Sequence, residues 1–283
     1  MLALLPLTAA RATVSAVDDD ARTVTLSKPA RRIISLAPHA TEMLFAAGAG
    51  NDVVGVVDYS DFPPAATRIP SVGSGIALDL ERIVQLKPDL VVAWSSGNSA
   101  AQIARLRALG IPVFESEPRD FDAIASSLER LAHLAGTDAT GQAAAASFRE
   151  RLRKIAAAHE HRPTITVFYQ IWRTPLMTLN GTHPVSRALR ICGGKNIFGG
   201  LPQLAPTVGV EAVLQANPDA IIASSGSRDD ALSDWRRFPH LKAVAQGNLI
   251  TIDGGLMNRS GPRILDGVEE LCRQLDRVRD KKH

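Results

Sequence analysis

Residues 80–93 and 210–223 are the same stretch written twice. The run LERIVQLKPDLVVA returns as VEAVLQANPDAIIA, with Glu81, Gln85, Pro88, Asp89 and Ala93 matched by Glu211, Gln215, Pro218, Asp219 and Ala223 at a constant offset of 130. Each copy reads as a short amphipathic helix, a stop before Pro, and a buried strand, which is one helix–strand step of an α/β fold. A weaker echo relates residues 44–55 to 189–199: an apolar helix, a Gly-containing stop, Asn or Asp, then a buried strand. A chain written this way folds as two related halves, each closing its own core. A single large doubly wound enzyme domain is the alternative that the same elements allow. The 283 residues suffice for two lobes of ordinary size.

The elements between the repeats follow the same alternation. After a polar lead (Asp18-Asp19-Asp20 and a hairpin strand at 23–26), short apolar runs at 32–36, 52–57, 89–94 and 111–114 read as parallel-type strands. Helices are expected at 41–47, 80–86, 99–109, 123–135 and 139–158, and the alternation restarts with a strand at 164–168. The expected fold class is therefore α/β, with two Rossmann-like lobes joined by one long backbone helix. Residues 31–136 form the N-terminal lobe, 137–160 the backbone helix, about 30 Å long, and 163–278 the C-terminal lobe. In open α/β sheets ligands bind beyond the C-terminal ends of the strands. The candidate loops are thus 37–39, 58–62, 73–75 and 94–98 in the first lobe, and 169–173, 204–206, 224–226 and 256–259 in the second. Aromatic residues are only 5% of the chain, yet Tyr59, Tyr169, Trp94 and Trp172 all fall in these loops on this reading. A cleft so lined takes a large, flat, partly apolar ligand. Trp235 reads instead as a helix-face packing residue.

Other functions are disfavoured by what the chain contains. With 32 basic and 29 acidic side chains the net charge is +3, too small and scattered for a nucleic-acid surface. GxGxxG, P-loop and GxSxG motifs are absent. His39 and Glu42 stand at i, i+3, but a metal site needs a third and fourth ligand. His159 and His161 fall in a polar hinge end and read as solvated, and His183 and His240 have no acidic partner at useful spacing. No catalytic residue, metal or cofactor is expected. Met1 to Ala12, MLALLPLTAARA, resembles the apolar core and cleavage site of a secretory signal, although no basic stretch precedes it. Export is expected from it, with a hydrophobic tail on a cytosolic protein as the alternative. Cys192 and Cys272 lie 80 residues apart, outside any CxxC. They form either one disulfide in an oxidising compartment or two buried thiols.

The segments RRIISLAPHATEMLFAAG, DYSDFPP, DLERIVQLKPDLVVAW with the following Gly97-Asn98, ALRICGGKNIF, VEAVLQANPDAII and RSGPRIL span both halves. Together they resemble the helical-backbone (class III) periplasmic substrate-binding proteins of metal-chelate ABC importers, and within them the cobalamin-binding branch. The resemblance implies a periplasmic monomer that is not an enzyme. Such a protein captures cobalamin or a related corrinoid in the cleft between the lobes and delivers it to an ABC transporter permease dimer. It implies that Tyr59 and Trp94 lie against the corrin, that Arg259 lies near its side chains, and that Cys192 and Cys272 are disulfide-bonded. Glu81 and Glu211 match two surface glutamates, one per lobe, that dock onto permease arginines. Two tryptophans of the family pattern fall near Ser74 or Gly75 and near Leu204, and the site around Met257 is also changed. The expected ligand set is therefore Tyr59, Trp94, Trp172, Arg259, Pro38, Ser74, Gly75, Leu204 and Met257, with Trp172 supplying the missing aromatic face. Haem or ferric-siderophore binding on the same fold is the alternative ligand class, and an α/β enzyme acting on a small polar substrate is the more distant one.

Overall fold

The computed structural model describes residues 13–225 and 231–281; the signal-like segment 1–12 and Gly226 of one candidate loop lie outside them. Two compact units emerge: one comprises the chain up to Pro118 with Ser126–Ala145, the other Arg119–Ala125 with the chain from Ala146 onward.

The first unit opens on an antiparallel hairpin, β1 (Val14–Val17) and β2 (Thr23–Leu26). Then follow β3 (Ile33–Ser35), α1 (Pro38–Ala46), β4 (Val53–Val56), a small hairpin of β5 (Gly73–Ser74) and β6 (Ala77–Leu78), α2 (Leu80–Gln85), β7 (Leu90–Trp94), α3 (Ala100–Ala108) and β8 (Val113–Ser116). The long strands form a parallel sheet in the order β4-β3-β7-β8. The division into units falls inside α4 (Phe121–Ala135) and inside the 22-residue α5 (Asp138–His159), which is the long connecting helix. The second unit contains β9 (Ile165–Gln170), α6 (Pro184–Ile191), β10 (Gly194–Asn196), α7 (Val210–Ala216), β11 (Ala220–Ser225), α8 (Lys242–Ala245), β12 (Leu249–Asp253), α9 (Gly254–Met257) and α10 (Ile264–Asp280). Its sheet is also parallel, in the order β10-β9-β11-β12. The two orders are the same: in each unit the second long strand is outermost, followed by the first, third and fourth. The fold is α/β, with two Rossmann-like lobes connected by one long helix.

The repeated sequence does the same physical work in both units. Lys87 and Asn217 end their helices in the left-handed region, at φ 46° and 45°, and Pro follows each; Pro cannot donate the next helical hydrogen bond. The carboxylate of Asp89 then accepts the N–H groups of Arg31 and Arg32, both at 2.9 Å, while its own N–H donates to Arg32 O. Asp219 accepts the N–H and hydroxyl of Thr166 at 2.9 and 2.7 Å, and its N–H donates to Thr166 O. Each Asp thereby fixes the residue entering the neighbouring inner strand, β3 or β9, through charge-assisted hydrogen bonds. Beyond it the strands run apolar on both faces. Ile34, Leu36, Val91 and Leu106 form one core and Phe168, Val213, Ile221 and Trp235 the other.

Several expectations change. Tyr169 lies inside β9 and is fully buried, not in a loop, because the strand continues two residues past Phe168; burial pushes its phenol up to about 12, opposed by the Ser224 hydroxyl. Trp235 is buried in a 3-10 turn (Ser233–Arg237) rather than on a helix face, and its indole N–H donates to Gln170 Oε1 at 2.7 Å. His159 is not solvated: its Nδ1 lies 2.8 Å from Ile155 O and its Nε2 3.4 Å from Asp276. His183 caps α6, its Nδ1 accepting the Val185 N–H at 3.1 Å, and burial pushes its pKa down to about 4.

Cys192 and Cys272 form a disulfide joining the C-terminal end of α6 to α10. Beside it the buried Arg279 donates to Cys192 O at 2.5 Å, to Pro163 O at 2.7 Å and to Asp276 at 2.6 Å. One side chain of α10 thus holds both the exit of α6 and the approach to β9. Closing an 80-residue separation stabilises typically by about 2–4 kcal/mol. Reduction, or the double substitution C192S/C272S, should lower the melting temperature by about 5–15 °C. Calorimetry with and without reductant checks this; an unchanged melting temperature would show that the noncovalent contacts alone carry the α6–α10 junction.

Candidate functional site

In the first unit the C-terminal ends of β3, β4 and β7, with the tip of the β5–β6 hairpin, present one set of loops. Tyr59 sits in a turn closed by the Ser60 N–H to Val57 O at 3.2 Å, with its own φ at +64° and its side chain 81% exposed. An aromatic residue in the left-handed region costs about 1–3 kcal/mol and persists only where its surroundings impose it. They do so here. Asp58 N–H donates to Gly73 O at 3.0 Å, and the Asp58 carboxylate accepts the Ser71 hydroxyl at 2.8 Å. Beneath the turn the buried hydroxyls of Ser35, Thr41 and Ser60 form a chain with spacings of 2.8 and 3.2 Å. That chain links the end of β3, the first turn of α1 and the Tyr59 turn.

Trp94 closes β7 with its ring partly exposed. It lies over Gly97, where a Cβ would fall 1.8 Å from the indole, so only a residue without a side chain lets the ring occupy this place. The edge of His39 meets the same ring, at a centroid distance of 5.5 Å. Asn98, buried, accepts the Trp94 N–H at 2.6 Å and donates to Leu36 O at 3.0 Å and Gly75 O at 2.8 Å. Pro38 is half-buried at the first position of α1, and the Ser74 hydroxyl is engaged by the Ala77 N–H at 3.1 Å. Ile76, which sequence reasoning did not single out, is 79% exposed at the hairpin tip.

In the second unit Trp172 follows β9 in a tight excursion. The Ile171 N–H bonds Met177 O, the Met177 N–H bonds Trp172 O, and the indole N–H donates to Thr174 O at 2.9 Å. The ring is 61% exposed. Arg173 next to it makes a two-pronged ion pair with Asp234, both contacts at 2.6 Å, which holds the Asp234 carboxyl below its usual pKa. Leu204 is exposed on a loop paired through its carbonyl to the Asn180 N–H. Arg259 is half-buried in the loop after α9, whose Asn258 amide reaches Ser224 at 3.2 Å. Met257 is a correction: it is 2% exposed, with its sulfur 2.6 Å from where a Cβ on Gly267 would stand. It seats α9 on α10 and offers no surface.

Glu81 and Glu211 are both exposed at the second position of their helices, α2 and α7. Glu81 accepts from Gln85 at 3.2 Å, and the N–H of Arg82 is already satisfied by the Asp79 cap. The Glu81 helix is therefore capped without its carboxylate, whereas Gly209 starts the Glu211 helix with no side-chain cap. Among the described residues no group of three His, Cys, Asp or Glu side chains stands ready to hold a metal ion. The exposed chemistry is aromatic rings, amide groups and an arginine, which suits noncovalent capture.

Comparison with known proteins gives the family and the fold. Residues 33–256 match the periplasmic binding protein family. The chain is 38% identical to the vitamin B12-binding protein of Vibrio cholerae serotype O1 over 251 residues, covering 87% of this chain and 90% of that one. The crystal structure of the periplasmic vitamin B12 binding protein of Vibrio cholerae matches with a TM-score of 0.79 at 38% identity, over 89% of this chain and 98% of that one. A periplasmic heme-binding protein from Pseudomonas aeruginosa matches with a TM-score of 0.74 at 26% identity, over 86% and 91% of the two chains.

The Gly97 contact makes a direct prediction. Gly97→Ala should displace the Trp94 ring while leaving the fold intact. In a W172F background, acrylamide quenching should rise about twofold or more as the ring leaves its partly covered seat for a fully solvated one; unaltered quenching would mean the ring is not held there.

Proposed function

The chain belongs to the periplasmic binding protein family, and on that premise we propose that it captures cobalamin or a related corrinoid and delivers it to an ABC importer. The observation that carries the ligand class is the 38% identity to a vitamin B12-binding protein over 87% of the chain. The loop chemistry supports it. A corrin ring is broad and flat, with apolar faces and a rim of amides. Exposed Tyr59, Trp94 and Trp172 suit the faces, and Arg259 with the loop backbone suits the rim. Ser74, Gly75, Pro38 and Leu204 leave room around the rings instead of adding aromatic area. No covalent chemistry is involved. The disulfide supports an oxidising, periplasmic setting, and the protein acts as a monomer.

Delivery needs a second surface. Glu81 and Glu211 are like charges at matching positions of the repeated helix, exposed in both units. A permease dimer with two-fold symmetry presents its cations in pairs, so a duplicated carboxylate is the matching arrangement. Haem is the second reading, favoured by the likeness to the heme-binding structure; Tyr59 or His39 would then be the residue to hold its iron.

Titration with cyanocobalamin should quench intrinsic tryptophan fluorescence saturably. Trp94→Ala and Tyr59→Ala should each weaken binding about 10–100-fold. Haem producing a Soret shift while cyanocobalamin produces no quenching would reverse the choice of ligand. For docking, E81R/E211R should abolish corrinoid uptake by cells while the dissociation constant stays within about twofold of wild type; full uptake by that variant would remove these residues from the interface.

A further inference from the structure

We propose that Asn98 is the positioning residue of the first unit's ligand surface: its one carboxamide sets the relative placement of the Pro38, Gly75 and Trp94 loops. This role rests on the corrinoid reading for its ligand but on geometry for its substance. The Asn98 oxygen accepts the Trp94 N–H at 2.6 Å, and its two amide hydrogens go to Leu36 O at 3.0 Å and Gly75 O at 2.8 Å. The side chain is 8% exposed, so water cannot substitute for these partners at no cost. The three acceptors and donors come from three separate chain segments: the exit of β3, the tip of the β5–β6 hairpin and the exit of β7. Among the described residues no strand pairing ties the hairpin tip to the other two: β5 and β6 pair with each other, and Gly73 at the hairpin base is held by the Asp58 N–H.

The chemistry demands an amide. Aspartate is isosteric and accepts the Trp94 N–H equally well, but its carboxylate would face two carbonyl oxygens with no hydrogen to give them. Alanine abandons all three bonds. Serine keeps one hydroxyl, which serves part of this set but lacks the second donor. Asn98 also holds Trp94 over Gly97 from the backbone side, so the ring is located by one bond above and an empty Cβ position below. A group that only stabilised the fold would change melting temperature without changing where the aromatic face stands.

The test separates those roles by pH. Cyanocobalamin affinity is measured by calorimetry between pH 5 and 8 for wild type, Asn98→Ala, Asn98→Asp and Asn98→Ser, each checked for a cooperative melt. Wild type and N98A supply the baseline, which carries any effect of His39 against the Trp94 ring and of Glu117 at the Ser96 N–H. At pH 8 the Ala and Asp variants should bind roughly 10–100-fold more weakly, with Ser between them and wild type. The new carboxylate, facing two carbonyls, has its pKa raised. On acidification it gains a proton that restores one donor bond, so N98D should recover several-fold by pH 5 whereas N98A should not. Equal affinity of all four proteins at pH 8, or the same low-pH recovery in N98A, overturns the proposal. If N98D does not fold, the Ser and Ala variants decide it through their order at pH 8. Should wild type bind no corrinoid, the ligand reading fails, and acrylamide quenching of Trp94 in a W172F background still decides on positioning: it should rise in N98A, and in N98D fall back on acidification.

Discussion

A parallel sheet has no tight hairpins to set the register of its strands, and in both units of this protein one carboxylate does that task. Asp89 and Asp219 each grip the backbone at the entrance of the neighbouring inner strand while their own N–H is returned to the same segment. The strand that follows each Asp then pairs with β3 or β9 in a single frame, Ile33 opposite Leu90 and Val167 opposite Ala220. A slip of one residue would send every side chain of the strand to the opposite face and break the packing of both layers. The candidate ligand loops follow the far ends of these strands. The two carboxylates thus set the strand frame from which the Trp94 and Trp172 loops depart.

From that common base the units secure their loops differently. The first uses buried groups: the hydroxyl chain of Ser35, Thr41 and Ser60, and the fully used amide of Asn98. Inside a protein such bonds are costly to break, because the freed groups have no water to turn to. Tyr59 can therefore be held in a backbone region that an aromatic residue seldom adopts. The second unit fastens the Trp172 excursion with the Arg173–Asp234 pair, both side chains about half exposed. An exposed pair of this kind contributes little and weakens with salt. Its rigidity is concentrated instead at the opposite end of the sheet, where the disulfide and Arg279 join α6, α10 and the approach to β9.

The architecture was legible in the sequence because the signals that encode it are local. Helix period, buried apolar runs, and the Pro-Asp stop at 88–89 and 218–219 give the elements. The offset of 130 between the copies gives the duplication. Strand ends were less legible: an apolar Phe168-Tyr169 reads equally as strand or loop entrance, and only the pairing of Tyr169 with Ile222 decides it. Met257 looked like a loop residue because its burial comes from Gly267, ten positions away on another helix. Asn98 was hidden for the same reason on a larger scale. Its partners stand 62 and 23 residues back along the chain, and a lone Asn after Gly ordinarily marks nothing beyond a turn.

The duplication also explains which parts of the chain could diverge. The copied segment runs from an exposed glutamate through the helix stop to the buried strand, and it ends where the strand ends. Past that point the two halves no longer resemble each other: Trp94-Ser95-Ser96-Gly97-Asn98 folds back on its own unit, whereas Ser224 meets the amide of Asn258 from the loop after α9. A corrinoid has two unlike faces and an irregular rim, so loops that bind it gain nothing from being alike. Under the proposed docking, a two-fold permease has the opposite requirement, because each of its halves would meet the same charge in the same setting. On that proposal the copied helix, with its exposed glutamate at the same position in both units, is the part that symmetry constrains, and the loops beyond the strands are the part free to become specific.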